Sequence, residues 1–134
     1  MRFFDTNVLV YYSVMQDEGK QKIAEELIEK AIVDEVFFLS PLVFSEYVFS
    51  LAKLGALPES QPLIEYFKQY VQEIPFASVA LEAYDLCYEI DTCKSINDVI
   101  HLKVAERFCG ELVTFDRDFR KLREYAGVEV EVLP

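Results

Sequence analysis

Residues 111–119 read ELVTFDRDF. A short β-prone run, Glu111 to Thr114, is followed almost at once by an acid, Asp116. A helical pattern over 117–126 (RDFRKLREYA) comes next, and Gly127 closes it. The start of the chain has the same grammar: Arg2-Phe3-Phe4 reads as the end of a buried strand, and Asp5 follows directly. Strand, acid, helix, twice over, is the pattern of βαβ units around a parallel sheet.

The rest of the chain fills in around these two units. Residues 18–33 have helical period, with Ile23, Leu27 and Ala31 on one face and Ala24 and Ile28 beside it. Residues 36–39 (VFFL) form a β-prone run. Ser40 offers an N-cap and Pro41 a first helical residue, so a helix is expected from Pro41 to Lys53, ended by Gly55. That helix is apolar almost all round, which predicts burial. Helices follow at 60–72, 79–90 and 95–109, with a short strand at 74–76. The alternating run 128–133 (VEVEVL) is the last strand. Asp116 then follows the fourth strand. The expectation is one domain over residues 1–134, an α/β fold: a three-layer α/β/α sandwich with a mostly parallel central sheet.

Composition narrows the function. The 134 residues are 52% hydrophobic and 14% aromatic, which excludes a disordered chain. Thirteen basic residues against 24 acidic ones give a net charge of −11, the wrong sign for holding nucleic acid or a membrane by bulk attraction. The basic residues gather late, at Arg107, Arg117, Arg120, Lys121 and Arg123. Three cysteines, Cys87, Cys93 and Cys109, include no CxxC pair, so neither a disulfide framework nor a zinc knuckle is expected. The apolar stretch 36–52 is too short to span a bilayer and carries Pro41 and Glu46. The first ten residues do not read as a secretory signal. The expected location is the cytoplasm.

Four acids stand out. Asp5 and Asp116 fall past the carboxyl ends of strands, where open α/β sheets bind ligands. Glu46 interrupts an apolar helix, and Asp98 lies in the first turn of the helix beginning near Ser95. Like charges that converge need a cation, and hard oxygen donors point to Mg²⁺ or Mn²⁺. Structural readings stand beside this one. Asp5 and Asp116 also read as N-caps, Ser95 and Asp98 as a capping box, and Glu46 as half of an ion pair with a Lys or Arg.

The residues that carry these acids resemble the PIN domain, the nuclease fold of VapC-type toxins. Phe4-Asp5-Thr6-Asn7-Val8 is similar to the family's first motif, and Ser45-Glu46 in an apolar helix to its second acid. Asn97-Asp98-Val99-Ile100 is similar to the third, and Leu112-Val113-Thr114-Phe115-Asp116-Arg117-Asp118-Phe119 to the last. The likeness runs from residue 3 to the final strand. One departure is visible: the family usually has small residues after the third acid, and here His101 and Lys103 follow. His101 shares a helical face with Asp98, as either a hydrogen-bonded or exposed helix residue or a participant in proton transfer.

The resemblance implies an endoribonuclease in which Asp5, Glu46, Asp98 and Asp116 hold Mg²⁺ or Mn²⁺, and a metal-activated water cuts RNA to 5′-phosphate and 3′-hydroxyl ends. It implies supporting roles for Asn7 and Thr114. Asp118 reads as a further ligand or as the cap of the helix after it. Arg117, Arg120, Lys121 and Arg123 read as contacts to RNA phosphates or as solvated charges paired with Glu124 and others. The implied partners are RNA, a small antitoxin protein covering the acids, and a second copy of the chain, with no membrane. Tyr11, Tyr12, Tyr47, Phe49, Tyr66 and Tyr70 are candidates for the antitoxin contact, or are core. The alternatives are an RNA-processing PIN nuclease outside a toxin pair, a catalytically silent PIN binding module, and a receiver-like signalling domain. The last lacks adjacent acids after the first strand and a Lys at the final one.

Overall fold

A computed structural model describes residues 1–91 and 93–134. Chain order is β1 (Arg2–Phe4), α1 (Thr6–Ser13), α2 (Glu18–Val33), β2 (Phe37–Phe38), α3 (Pro41–Lys53), α4 (Gln61–Lys68), α5 (Phe76–Ile90), α6 (Ile96–Phe108), β3 (Glu111–Thr114), α7 (Phe119–Leu122) and β4 (Glu129–Val132). The strands form one sheet in the order β2-β1-β3-β4, and every pairing is parallel. Parallel strands covered by helices are buried on both faces. Phe3 and Phe4 point to opposite faces and are both fully buried, as are Leu112 and Val113 of β3. Phe3 packs beside Phe38, and Phe4 beside Phe37. This is the expected α/β/α sandwich.

Strand order also locates a crevice. From β1 the chain passes through α1 and α2 to β2 on one side, and from β3 through α7 to β4 on the other. The connections diverge beyond the carboxyl ends of β1 and β3, the place where open α/β sheets bind ligands. Phe4 pairs with Val113, so Asp5, just past β1, lies beside Thr114, the last residue of β3. The amide of Asp5 donates to the Val113 carbonyl at 2.9 Å.

α3 begins and ends as its sequence demands. The Ser40 hydroxyl accepts from the Val43 amide at 3.1 Å, Pro41 opens the first turn, and Gly55 adopts a positive φ of 68° just beyond the end. The expected all-round burial does not occur. Val43, Tyr47 and Leu51 form the buried stripe, whereas Phe49 is 68% exposed. α1 packs against α3, and another side of α3 borders an open cleft.

Three other expectations change. No strand forms at 74–76: Pro75 lacks an amide for a ladder, and Phe76 starts α5. Instead Leu39 makes a single parallel bridge to Val71. Asp116 therefore follows the third strand, not the fourth. The helix expected over 117–126 is one α-turn, Phe119–Leu122, followed by a 3-10 turn at Arg123–Tyr125. Among the described residues no helix is long and apolar enough to cross a membrane. Cys109 is in no disulfide; the same expectation for Cys93 concerns a side chain outside those described.

Burial sets a contrast that urea unfolding measures. Phe4→Ala opens a cavity in the sheet core and is expected to cost about 3–5 kcal/mol. Phe49→Ala removes an exposed ring and is expected to stay within about 0.5 kcal/mol of the parent.

Candidate active site

Asp5 sits at the crevice because β1 ends there. One carboxylate oxygen accepts from the Thr6 amide at 2.7 Å, so the N-cap reading is realised. The other accepts from the Thr114 hydroxyl at 2.7 Å and the Asn7 side-chain amide at 3.2 Å. Burial raises the Asp5 carboxyl above its ordinary range, against the opposing effects of His101, Thr114 and Thr6.

Thr114 and Asn7 join the two strand ends. The fully buried Thr114 hydroxyl donates to Asp5 and accepts from the Asp116 amide at 2.9 Å. Asn7 accepts from the Phe115 amide at 3.1 Å while its own amide reaches Asp5 and Thr114. Asp116 is turned by a further bond, its Oδ1 accepting from the Asp118 amide at 2.8 Å. The exposed Asp118 side chain makes no capping bond and does not line the cleft. Its contribution is the backbone bond to Asp116.

Glu46 has partners, but not the Lys or Arg of the ion-pair reading. Its Oε1 accepts from the Thr6 hydroxyl at 2.7 Å and from His101 Nε2 at 2.6 Å, and its Oε2 from the Asn97 amide at 3.2 Å. Burial pushes Glu46 up, but His101, Thr6 and Asn97 outweigh it and the carboxyl falls below its ordinary value. His101 is almost wholly buried against Phe3, with Nε2 also 3.8 Å from Asp5 Oδ1. Burial disfavours the imidazolium, and protonating Nδ1, which has no hydrogen-bond partner among the described residues, adds to that cost. The bond to Glu46 and the charges of Asp5, Glu46 and Asp98 prevail, and the His101 pKa is raised.

Asp98 is different. Ser95 makes no capping bond, so the capping-box reading fails there, and Asp98 lies half-buried in the cleft. Burial first, then the charge of Asp5, with Asp116 and Glu46 adding and His101 opposing, pushes its carboxyl up to about 7.

All four acids line one cleft of about 670 Å³, together with Thr6, Asn7, Tyr11, Phe49 and Lys53. The exposed side chains of Arg117, Arg120, Lys121 and Arg123 do not line it, and among the described residues none of them forms an ion pair, with Glu124 or otherwise. The cleft's basic side chain is Lys53, which the sequence reading passed over although it lies seven residues, two turns, beyond Glu46 on α3. Tyr47 is fully buried and bonded to Ser13, so it is core and not a contact surface.

The family model of the PIN domain matches residues 2–125. The chain belongs to the PIN domain family. No curated protein matches it. PIN domains are nucleases as a family and generally use divalent metals, and all four acids fall inside the matched span.

The donor chemistry fits such a group. The acids present hard carboxylate oxygens, the one imidazole is engaged by Glu46, and the upward shift of Asp98, due first to burial, also carries a contribution from the negative charge of Asp5, Asp116 and Glu46 that a cation would relieve. Among the described residues no three His, Cys, Asp or Glu side chains already stand close enough to hold an ion. The acids line a cleft; they do not form a closed cage.

The Asp98 shift fixes a pH dependence. A carboxyl near 7 in the fold and near 3.8 in the unfolded chain binds its proton more tightly when folded. Stability from this group therefore falls as pH rises from about 4 to about 7. In EDTA at pH 8, Asp98→Asn is expected to be more stable than the parent by about 1–2 kcal/mol, a figure reduced for solvent screening at the cleft. At pH 5 the difference is expected to shrink. The raised His101 also loses stability with rising pH, so the two proteins are compared at each pH by urea unfolding.

Proposed function

We propose that the protein is a metal-dependent endoribonuclease that hydrolyses RNA phosphodiesters, leaving 5′-phosphate and 3′-hydroxyl ends. The observation that carries this reading is the convergence of Asp5, Glu46, Asp98 and Asp116 on one cleft beyond β1 and β3, with ionised Asp98 destabilised by burial first and then by its neighbours' charge. Asp5, Asp98 and Asp116 are the residues that would hold Mg²⁺ or Mn²⁺. Glu46 joins them directly or from behind, since its oxygens already accept three hydrogen bonds. A divalent cation bound there supplies an acidified water and neutralises phosphate charge.

The chain's own residues do the positioning. Thr114 and Asn7 fix the Asp5 carboxylate in one orientation, and the Thr114 hydroxyl and the Asp118 amide hold Asp116. His101 and Thr6 keep Glu46 ionised and held between α6 and the start of α1. His101 bonds Glu46 at 2.6 Å and lies 3.8 Å from Asp5, which suits it to proton transfer during the cut.

Within this reading the protein is the toxin of a VapBC-type pair, acting in the cytoplasm. Its partners are RNA, a small antitoxin that covers the acid cleft, and a second copy of the chain. The similarity of the four acid motifs to VapC-type PIN domains supports the toxin role.

The test is cleavage of a structured RNA pool with Mg²⁺, with Mn²⁺ and with EDTA, followed by sequencing of product ends. Metal-dependent cuts with 5′-phosphate ends are expected. Asn7→Ala is expected to lose about 10–100-fold in activity, the usual effect of removing a group behind a ligand, and Asp98→Asn to lose more. Parental activity in Asp98→Asn, or cutting that survives EDTA, overturns the proposal.

A further inference from the structure

Glu46, Phe49, Ser50 and Lys53 recur along α3 at the i, i+3, i+4, i+7 spacing of one helical face, and all four line the cleft. At 1.5 Å per residue, Lys53 lies about 10 Å along the helix axis from Glu46. The acids therefore occupy one end of a cleft that continues along α3 as an aromatic and basic wall. A metal ion with six waters fills roughly 200 Å³, at about 30 Å³ per water. The cleft holds about 670 Å³. Most of its volume lies beyond what a cation needs.

The fold gives no other account of the two side chains in that remainder. Phe49 is 68% exposed on a helix that buries Val43, Tyr47 and Leu51. Lys53 makes no ion pair among the described residues, in a chain where acids outnumber bases 24 to 13. The α1 side of the cleft adds Tyr11, whose ring meets Phe115 edge-on with centroids 5.1 Å apart and carries the Lys20 amine 5.1 Å from its centroid. An exposed ring next to an unpaired cation, in line with phosphate-cutting acids, suits a base and its phosphate.

We propose that this arm of the cleft is a subsite for an unpaired nucleotide of the RNA strand adjoining the cut, its base stacked on Phe49 and its phosphate held by Lys53. The inference rests on the nuclease reading and deepens it. Stacking on a side chain requires a base with a free face, which a single strand offers and a duplex does not. Selection of unpaired RNA by this arm also answers how a protein of net charge −11 engages a polyanion: one local cation and one stacking platform act where bulk attraction is absent.

The test is fluorescence anisotropy of a labelled single-stranded RNA octamer and of its duplex, in an Asp116→Asn background that halts cutting, together with kinetics in the otherwise native protein. Phe49→Ala is expected to weaken single-strand binding about tenfold or more. It is expected to raise KM while keeping kcat, with Phe49→Tyr restoring KM and single-strand binding. Lys53→Ala is expected to lower the slope of log affinity against log salt by about 0.7, which a purely structural lysine would leave alone. Duplex binding is expected to be weak and indifferent to both changes. Single-strand affinity and salt slope equal to the parent in both variants overturn the subsite. So does Phe49→Ala that spares RNA binding but turns a dimer into a monomer by light scattering, which assigns the ring to a protein contact. Failure of the native protein to cut any RNA with Mg²⁺ or Mn²⁺ counts against the nuclease reading, and the anisotropy still scores the subsite separately.

Discussion

Carboxylates crowded into one cleft repel each other, and this fold holds four of them at the diverging ends of two adjacent parallel strands. The arrangement opposes folding unless something offsets the charge. The hydrogen bonds of Thr114, Asn7 and Thr6 to Asp5 are part of the offset, and the one from Thr114 exists because Phe4 and Val113 are in register, which sets Asp5 beside the end of β3. The buried Phe3, Phe4, Leu112 and Val113 supply the packing that carries the remainder.

The imidazole of His101 divides the acids into two kinds. Glu46 takes its Nε2 together with Thr6 and Asn97 and titrates below its ordinary value. Asp98, three residues from that imidazole on the same helix, forms no such hydrogen bond among the described residues, and burial and the other acids outweigh the opposing effect of His101 and push it up to about 7. Neighbouring carboxyls whose environments drive their pKa values apart mark a site arranged for chemistry or for binding a cation. An ion pair of purely structural purpose would have brought a basic partner for each acid.

Much of this was legible in the sequence. The strand-acid-helix units at both ends of the chain, the Ser40-Pro41 start of α3 and the Gly55 stop are local rules, and the structure follows them. The misjudged features depend on tertiary placement. Residues 74–76 look β-prone, but Pro75 prevents a ladder and the edge of the sheet is met at Val71 instead. The apolar sequence of α3 suggested all-round burial, because composition does not reveal that one side faces a cleft. His101 sat at helical spacing from Asp98, yet its choice of Glu46 depends on two helices 55 residues apart in sequence. The basic cluster after Asp116 drew the eye by density, whereas Lys53, an isolated lysine at a helix end, is the one that lines the cleft.

The central claim is that the acids form a cation site whose charge is only partly offset in the metal-free fold. Calorimetric titration with Mn²⁺ at pH 7, repeated in buffers of different ionisation enthalpy, tests it most directly, because it counts the protons displaced on binding. With Asp98 titrating at about 7, a fraction of a proton is expected to leave as each ion binds, falling as the pH rises to 8.5, and the release is expected to shrink in Asp98→Asn to what the raised His101 contributes. No Mn²⁺ binding at millimolar concentration, or binding with the same proton count in the parent and in Asp98→Asn, would contradict the account.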